Sequence, residues 1–437
     1  MSASTQNDTT SMATETSIEE ESSSLLSTLL EACKSGDINK VRQILIDDEK
    51  PSSSLSSPSN DNRKNNFSIA TQQEESTGIS PLMAASQSGN AELCQLLIDY
   101  GAPWNAIDRH GKCAGNYAVD AQKWEIVNLL VEVGTRAELI LGATIRAQMK
   151  LQGGAADDDD HEDTSTTKTY KKAKMTTTKP SEATSSSLPA EQEPCTKPDY
   201  LTRNVRFNEE GTALLDDDDD AVMMEWERPI MDAHASILLP SNDNQDTQEQ
   251  QQLRRVLNIG FGMGIIDTAL QERNPTKHVI IEAHPQVYAK MLSDKWNEKP
   301  NVEIFFGKWQ TEVPKLISRG YKFDGIFYDT YGEHFTDLED FHELAVKELL
   351  DQPNGIYSFF NGLAPDNLFF HGVACQCVKL QLAKLGLDTE FAQCQIQQIN
   401  EQDWKDVRRK YWYNREIYYL PIATWNKEFL VSSASSS

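Results

Sequence analysis

The N-terminal third of the chain contains an internal repeat with a period of 33 residues. A period of this length is typical of a unit made of one turn and two helices. Stacks of such units need about three copies to be stable, so the repeat predicts a short all-helical array. The repeated positions are Gly78 and Gly111, Ala85 and Ala118, Leu96 and Leu129, Leu97 and Leu130, and Gly101 and Gly134.

The repeats resemble ankyrin repeats. The stretch GISPLMAASQSGNAELCQLLIDYGA, residues 78–102, fits the ankyrin pattern, with Ser80 where threonine is commoner. An earlier stretch, LLEACKSGDINKVRQILID at residues 29–47, has the same two-helix pattern. We therefore expect an all-α ankyrin repeat domain over residues 25–150, rather than an unrelated array of helical hairpins. Its expected role is to dock another protein.

Three polar segments flank or interrupt the repeats. Residues 1–24, an insert at residues 50–76 and a linker at residues 151–197 are too polar to bury a core, so we expect disorder there. The linker contains KKAK at residues 171–174, which is more typical of a solvated lysine cluster than of a nuclear signal. We expect a protein of the cytoplasm and the nucleus.

The overall charge limits the classes of partner. The chain of 437 residues has a formal net charge of -26 at pH 7. A phosphate backbone attracts stripes of Lys and Arg, so this charge argues against direct nucleic-acid binding and favours a basic partner. Runs of aspartate at residues 157–160 and 216–220 supply part of the charge, and solvation is one sufficient explanation for them.

Other composition signals are negative. The seven cysteines are scattered without zinc-type spacing, which favours reduced thiols in an intracellular protein. His334 and His342 are spaced for one helix face but lack a third ligand, so we expect a polar surface and no metal. The first 24 residues contain no apolar signal core, and no run of about 18 apolar residues occurs, so we expect neither export nor a membrane span.

The C-terminal half alternates strand-like and helix-like segments. Apolar runs without polar alternation predict strands that are buried on both faces of a sheet. We expect a doubly wound α/β domain over residues 198–430, ending in an antiparallel hairpin formed by DTEFAQCQIQQI and EIYYLPIATW. The other strand candidates are RVLNIGFG, HVIIEAH, VEIFFG, FDGIFYDT and GIYSFFNG.

A glycine-rich loop follows the first of these strands. In VLNIGFGMGII, the residues Gly260, Gly262 and Gly264 permit a sharp turn and a close approach of a ligand to the backbone. The dinucleotide fingerprint G-x-G-x-x-G would need a glycine at the position of Ile265, so we do not expect NAD. The loop alone is equally compatible with an ordinary strand-to-helix turn.

Polar and aromatic residues end the other strands, where a doubly wound sheet binds its ligand. Glu282 lies 22 residues after Gly260, at the spacing of a carboxylate that binds ribose hydroxyls. Trp309, in GKWQ, could place its indole against an adenine ring. Asp329, in YDTYGEHF, lies at the mouth of the predicted cleft, although aspartate after a strand is also common as a turn or helix cap.

Five motifs in a fixed order resemble a known family. WERPIM, GFGMG, IIEAH, GKWQ and FDGIFYDTY resemble guanidinoacetate N-methyltransferase and, behind ankyrin repeats, the fungal and plant type IV protein arginine N-methyltransferases. The resemblance covers residues 200–429 and the repeats. It implies a class I S-adenosylmethionine-dependent fold with a Rossmann-like sheet. It also implies methylation of the internal (delta, N5) guanidino nitrogen of an arginine in a ribosomal protein.

The same resemblance implies a set of cofactor-binding residues. Two departures from the family pattern concern Asn258, which replaces an acid that makes a solvent-mediated cofactor contact, and the loop Asn361–Asn367, NGLAPDN. This loop differs from the one that anchors a small acid substrate, which disfavours guanidinoacetate. The implied residues are Tyr200, Met231, Gly260, Phe261, Gly262, Met263, Gly264, Ile265, Glu282, Ala283, His284, Trp309, Gln310 and Asp329.

Two carboxylates are the candidate catalytic residues. An arginine guanidinium stays protonated and presents five N–H donors in a planar fork. Glu227 and Asp329 could bind its two terminal nitrogens, leave the internal one towards the methyl group, and accept the displaced proton. Without the resemblance, Glu227 in EWERP is better interpreted as a surface acid before a proline turn.

Two other functions remain open from the sequence. One is a small-molecule guanidino N-methyltransferase that carries an unrelated repeat domain. The other is a non-catalytic ankyrin scaffold whose second domain binds the cofactor without turnover. The stretch DWKDVRRKYWYNR at residues 403–415 mixes cations and aromatics, but on an acidic chain it favours a lid helix or a charged surface over an RNA site.

Overall fold

The described part of the chain forms a helical N-terminal array and an α/β C-terminal domain. Most of the three segments that the sequence predicts to be disordered, including KKAK, lies outside the described residues. The computed structural model describes residues 23–49, 68–153, 197–240, 254–333, 335–396, 399–412 and 416–434.

Six helices form the N-terminal array, and their apolar faces meet in one core. The start of the third helix follows from its sequence, because Pro81 occupies its first position and Ser80 Oγ accepts a hydrogen bond from the Met83 N–H at 3.2 Å. These features confirm the all-α ankyrin repeat domain. The helices are α1 (residues 23–35), α2 (Ile38–Asp48), α3 (Pro81–Ser88), α4 (Ala91–Asp99), α5 (Ala114–Asp120) and α6 (Trp124–Gly153).

The end of the predicted disordered insert is ordered instead. A short 3-10 turn, Ile69–Thr71, buries Ile69 and Ala70 in the repeat core. The Ile69 N–H donates to Asp48 Oδ2 at 2.9 Å, which fixes the turn against the end of α2. The prediction of disorder over residues 50–76 is therefore wrong at its C-terminal end, because two apolar residues in a polar stretch reach the core.

Among the described residues, the C-terminal domain contains ten strands, of which seven form one large sheet and three form a small one. The strands are β1 (Val205–Phe207), β2 (Ala213–Asp216), β3 (Ala221–Met224), β4 (Arg255–Ile259), β5 (Lys277–Glu282), β6 (Val302–Phe306), β7 (Gly325–Tyr328), β8 (Ile356–Phe359), β9 (Leu387–Gln395) and β10 (Ile417–Trp425). The large sheet has the order β6-β5-β4-β7-β8-β10-β9, parallel from β6 to β8, and β10 runs antiparallel to both β8 and β9. Strands β1, β2 and β3 form a small antiparallel sheet. All five strand predictions and the terminal hairpin are confirmed.

Helices cover both faces of the large sheet. Val256 of β4 packs with residues of two helices on one face, and its neighbour Leu257 packs on the other face. This alternation buries both sides of a parallel strand and confirms the doubly wound α/β fold expected from the sequence. The helices are α7 (Arg228–Leu238), α8 (Ile265–Glu272), α9 (Pro285–Ser293), α10 (Trp309–Ser318), α11 (Phe335–Phe341), α12 (Lys347–Leu349), α13 (Leu368–Lys384) and α14 (Lys427–Ala434).

Helix α13 belongs to both halves of the molecule. One face, with Phe369, Val373 and Cys377, is buried in the core of the ankyrin repeats. The opposite face, with Val378 and Leu382, is buried against the sheet. The repeats are therefore packed onto the α/β domain through a shared helix, in addition to any role in docking a partner.

Within the described ranges, every helix is too short or too polar to cross a lipid bilayer.

Candidate active site

A cavity of about 820 Å³ opens beyond the carboxyl ends of the parallel strands. The loops that follow β4, β5, β6, β7 and β8 all contribute to its wall, which is the edge where a doubly wound sheet binds ligands. Nine of the residues singled out from the sequence line it. They are Tyr200, Glu227, Gly260, Gly262, Glu282, Ala283, Trp309, Gln310 and Asp329.

The glycine-rich loop forms the floor of the cavity. Gly260, Gly262 and Gly264 all have positive φ angles, of 90°, 54° and 73°. A side chain at Gly260 would place its Cβ 1.9 Å from the carbonyl oxygen of Asp329, so only glycine fits where β4 and β7 end side by side. The loop thus leaves bare backbone facing the cavity, as its sequence predicts.

Glu282 is held rigidly at the end of β5. Its Oε2 accepts the Phe261 N–H at 2.8 Å, and its Oε1 accepts the His284 N–H at 2.6 Å. Burial raises the pKa of this carboxyl above its usual range. Phe261 and His284 thus orient Glu282 through their backbone, while the Phe261 ring packs against Trp296.

Two tyrosines, Tyr200 and Tyr331, line one side of the cavity, and His284 packs against Tyr200. The Tyr200 ring centroid lies 4.8 Å from that of His284 and 4.9 Å from that of Tyr331. Tyr331 donates a hydrogen bond to Asp216 Oδ2 at 3.0 Å. Because the sequence gives no sign that Tyr331 and Asp216 meet, this part of the wall was not predictable.

The aspartate run at residues 216–220 has a structural role beyond solvation. Asp216 and Asp220 are buried and both accept hydrogen bonds from Lys197 Nζ. Arg408 donates to both carboxylate oxygens of Asp220, at 2.6 and 3.1 Å. The turn between β2 and β3 therefore ties two distant segments of the chain together beside the cavity.

Glu333 is a site residue that sequence reasoning missed. Its carboxylate accepts hydrogen bonds from Trp309 Nε1 at 3.1 Å and from Gln310 Nε2 at 3.0 Å. The hydroxyls of Tyr328 and Thr330 also donate to it, at 2.5 and 2.6 Å. These four donors come from two different strand-end loops, so the carboxylate fixes the orientation of the Trp309 indole.

Glu227 is buried, which excludes the alternative of a surface acid. Its side chain is only 3% exposed, and its Oε1 accepts hydrogen bonds from the Met224 N–H and the Tyr411 hydroxyl. Burial and, secondarily, the nearby charge of Asp329 raise the pKa of Glu227 to about 8. The group therefore exchanges its proton near neutral pH.

Asp329 lies directly after β7 on the same cavity. Burial, with a contribution from Asp267, raises its pKa to about 7. Its Oδ2 is buried and has no hydrogen-bond partner among the described residues. A buried carboxylate oxygen without a partner is costly, which indicates an acceptor that is satisfied when the site binds its ligands.

The segment of mixed cations and aromatics covers part of the site. Tyr411 reaches Glu227, and Trp404 and Trp412 are buried around Trp226. The aromatic residues are therefore core anchors that hold Tyr411 over Glu227. Residues 405–412 cover Glu227 without forming the helix that the sequence predicts for a lid, and their buried aromatics are not an exposed stacking surface.

Two family models match the chain. Residues 190–373 match the model described as guanidinoacetate N-methyltransferase, and residues 29–139 match the model for three copies of ankyrin repeats.

Fungal relatives match both halves together. A Candida glabrata protein named protein arginine N-methyltransferase 2 is 35% identical over 80% of this chain and 85% of that protein. Proteins of the same name from Saccharomyces cerevisiae and Emericella nidulans are 33% and 36% identical, each over 76% of this chain and 77% of the relative. The chain belongs to the protein arginine N-methyltransferase 2 family. This membership makes it a methyltransferase of the ankyrin-containing type.

Some residues implied as cofactor contacts in this methyltransferase lie behind the cavity wall. Met231 and Ile265 are buried in one apolar cluster beneath the glycine-rich loop. The Met263 N–H faces Met223 Sδ at 3.2 Å, and Gly264 caps α8. Direct contact of these residues with a cofactor stays a prediction.

Asn258, one of the two departures from the family pattern, supports the glycine-rich loop. Its Nδ2 donates to the Gly260 carbonyl at 2.8 Å and to both oxygens of the buried Asp267 at 2.9 Å. In this family member the Asn258 amide therefore supports the glycine-rich loop, and the carboxylate of Asp267 lies beside it.

The second departure, Asn361–Asn367, also belongs to the site. Gly362, Leu363, Ala364, Pro365 and Asp366 all line the cavity.

The prediction of a polar surface at His342 is wrong. This residue is buried on a π-helical turn, His342–Val346, where its Nε2 lies 3.0 Å from the Tyr357 hydroxyl. Burial lowers its pKa to about 3, so the imidazole stays neutral. His334 lies outside the described residues. In the described portion of this methyltransferase, no group of three His, Cys, Asp or Glu side chains could hold a metal ion.

Proposed function

We propose that this chain transfers a methyl group from S-adenosylmethionine to the internal guanidino nitrogen of an arginine in a protein. The main support for this proposal is that two buried carboxyl groups, those of Glu227 and Asp329, line one cavity. Each has a pKa raised towards neutrality, so each can exchange a proton at neutral pH, and an entering cation favours its ionised form.

The cavity fits the proposed cofactor. Gly260 and Gly262 line the cavity with backbone alone, which allows a ligand to approach the main chain. Glu282 presents a rigid carboxylate for ribose hydroxyls, and Trp309 presents an oriented indole for a base. When bound, S-adenosylmethionine supplies a methyl group that is already activated on a sulfonium.

Glu282→Ala tests the cofactor assignment. We expect binding of S-adenosylmethionine to weaken by about 1.5–3 kcal/mol, because a charged acceptor for two hydroxyls is lost. Calorimetry measures this directly, with Glu303→Ala as a matched control, since Glu303 contacts Lys277 and Tyr321 away from the cavity. An unchanged affinity in folded Glu282→Ala would remove Glu282 from the site.

The two carboxylates set the geometry of the substrate. A guanidinium that enters the cavity favours the ionised forms of Glu227 and Asp329, because it places a positive charge beside both. Each carboxylate then accepts hydrogen bonds from one terminal nitrogen, which leaves the internal nitrogen unblocked. Either carboxylate can accept the proton that the internal nitrogen loses. The Tyr411 hydroxyl holds Glu227 in place.

The raised pKa values predict the pH dependence of the reaction. Because the ionised carboxylates bind the guanidinium, kcat/KM should rise as pH increases through about 7 to 8, where Asp329 and Glu227 lose their protons in the free protein. A rate profile from pH 6 to 9 checks this. Glu227→Gln should remove the upper part of the rise, and Glu303→Gln should leave it unchanged. A flat profile would contradict the assignment.

A small-molecule guanidine is the second candidate substrate, since the guanidinoacetate N-methyltransferase model matches residues 190–373. The loop Asn361–Asn367 lines the cavity with a sequence that differs from the one expected for a small acid. We favour a protein substrate because the relatives that match 76–80% of this chain carry the name protein arginine N-methyltransferase 2.

A basic protein, and specifically a ribosomal protein, is the target that we propose, in the cytoplasm and nucleus. The net charge of -26 favours a basic partner. The test is incubation of the full-length chain with methyl-labelled S-adenosylmethionine, a cell extract and, separately, guanidinoacetate. Label in a single protein band supports the proposal. Label confined to small molecules supports the second candidate, and no label with tight cofactor binding supports a scaffold.

A further inference from the structure

The cavity-lining segment of residues 362–366 leads directly into helix α13, which enters the ankyrin core. Asn367 is the N-cap between them. Its Oδ1 accepts hydrogen bonds from the Phe369 and Phe370 N–H groups at 3.0 and 3.3 Å, which fixes the first turn of the helix.

The same side chain also reaches into the third ankyrin repeat. Asn367 Nδ2 donates to Asn116 Oδ1 at 2.7 Å and to the Gly111 carbonyl at 3.2 Å. Asn116 Oδ1 in turn accepts the Cys113 N–H, which begins α5. One amide therefore joins the start of α13 to the start of α5.

An aromatic contact reinforces this joint. The Phe369 ring lies so close to α5 that a Cβ on Gly115 would stand 2.1 Å from it. Beside it, Phe370 packs edge-on against Trp104 with ring centroids 5.7 Å apart. The helix can therefore neither rotate nor slide without disturbing the repeats.

The cavity-lining segment depends on this anchor. Ala364 has a φ of 44°, a left-handed conformation that a residue with a side chain adopts only when its surroundings enforce it. His371, on the first turn of α13, contacts the Leu363 carbonyl through Nδ1 at 2.5 Å. The orientation of α13 is thus transmitted to the backbone of residues 362–366.

We propose that Asn367 and Phe369 are positioning residues through which the ankyrin repeats hold residues 362–366 in place on the cavity. The repeats would then support the substrate site from behind, in addition to docking a partner protein. The kinetic consequence rests on the proposed function, whereas the structural coupling does not.

Asn367→Ser separates the joint from the helix cap. Serine keeps an N-cap acceptor but is too short to reach Asn116. Asn90→Ser is the matched control, because Asn90 also caps a helix, accepting from the Leu93 N–H, while its Nδ2 donates to the Gly36 carbonyl within the repeats. Both variants keep a cap acceptor and lose an amide donor, which makes two hydrogen bonds at Asn367 and one at Asn90, and only Asn367→Ser loses them at the joint.

Hydrogen exchange of the full-length protein is the readout that requires no substrate. In Asn367→Ser we expect the backbone N–H groups of residues 362–364 and 366 to exchange about tenfold faster, as two hydrogen bonds are lost. The affinity for S-adenosylmethionine should stay within about twofold, and KM for the protein substrate should rise about five- to tenfold. Asn90→Ser should leave all three unchanged.

Gly115→Ala provides a second variant that leaves Asn367 intact. It should displace Phe369 and accelerate exchange of residues 362–366, whereas Gly372→Ala, in open space on α13, should not. Unchanged exchange in both joint variants, or equal acceleration in Asn90→Ser, would overturn the coupling. Accelerated exchange with no methyl transfer by the wild-type chain would support the coupling and overturn the proposed function.

Discussion

Neutralising either carboxyl group should nearly abolish methyl transfer. Asp329→Asn and Glu227→Gln keep the size of the side chain, so we expect the fold and most of the cofactor affinity to persist. An amide can neither offset the guanidinium charge nor take its proton, and its NH2 group faces the donors of the arginine. Loss of a general base typically lowers the rate by about 10² to 10⁴, which is the expected fall in kcat/KM.

Asp324→Asn is a matched control for these variants. Asp324 immediately precedes β7, which Asp329 follows, and it pairs with Arg255 at the opposite edge of the sheet. Its neutralisation should lower stability slightly and leave kcat/KM within about twofold. The double variant of Glu227 and Asp329 should lose less than the product of the two single losses, because both groups bind one guanidinium. Full activity in both neutral variants would refute their roles.

Removal of residues 1–150 should destabilise the α/β domain itself. The deletion exposes Phe369, Val373 and Cys377, which are buried in the repeat core. Each buried apolar side chain of the size of Phe or Val contributes about 1.5–3 kcal/mol, against a total of about 5–15 kcal/mol for a typical domain. We therefore expect aggregation or a strongly lowered Tm in thermal unfolding.

Polar replacements test the cause of that instability. In the truncated chain, Phe369→Gln, Val373→Gln and Cys377→Ser together should restore solubility, because they remove the exposed apolar face of α13. A truncated wild-type sequence that remains soluble and unfolds at the Tm of the full chain would show that the repeats are an independent arm. Docking a partner protein would then be the remaining expected role of the repeats.

Local sequence patterns were enough to locate the cavity. Apolar runs predict the strands, and the fold places the carboxyl ends of parallel strands at one edge. Four site residues lie at or shortly after the end of a strand, so the fold alone brings them together on the cavity. They are Gly260, Glu282, Trp309 and Asp329. Their detailed cofactor contacts remain predictions.

Contacts between distant segments could not be predicted in this way. Tyr411 donates a hydrogen bond to Glu227, which is 184 residues away in the sequence. Lys197, which precedes β1, binds Asp216 at the end of β2. Glu333 looks like any polar residue of a loop until two strand-end loops converge on it. Such contacts depend on tertiary packing and leave no periodic signal in the sequence.

The shared helix shows a further limit. The α13 sequence LFFHGVACQCVKLQLAK is apolar on several sides, which is typical of a helix that is buried all round. Nothing in it says that one of its faces is covered by a repeat domain more than 200 residues earlier in the chain. The polar insert shows the converse, since Ile69 and Ala70 are core residues although the neighbouring sequence is polar.

The position of the transferred methyl group distinguishes the proposed binding of the guanidinium by Glu227 and Asp329 from any other arrangement. The methylated target protein would be digested, and the modified arginine fragmented by mass spectrometry at the bond between its internal nitrogen and the guanidino carbon. Loss of an unmodified carbodiimide then indicates an internal methyl, and loss of a methylated carbodiimide indicates a terminal one. If Glu227 and Asp329 bind the terminal nitrogens as proposed, the methyl group should be found on the internal nitrogen, with the terminal nitrogens unmodified. Methyl on a terminal nitrogen would contradict the proposal.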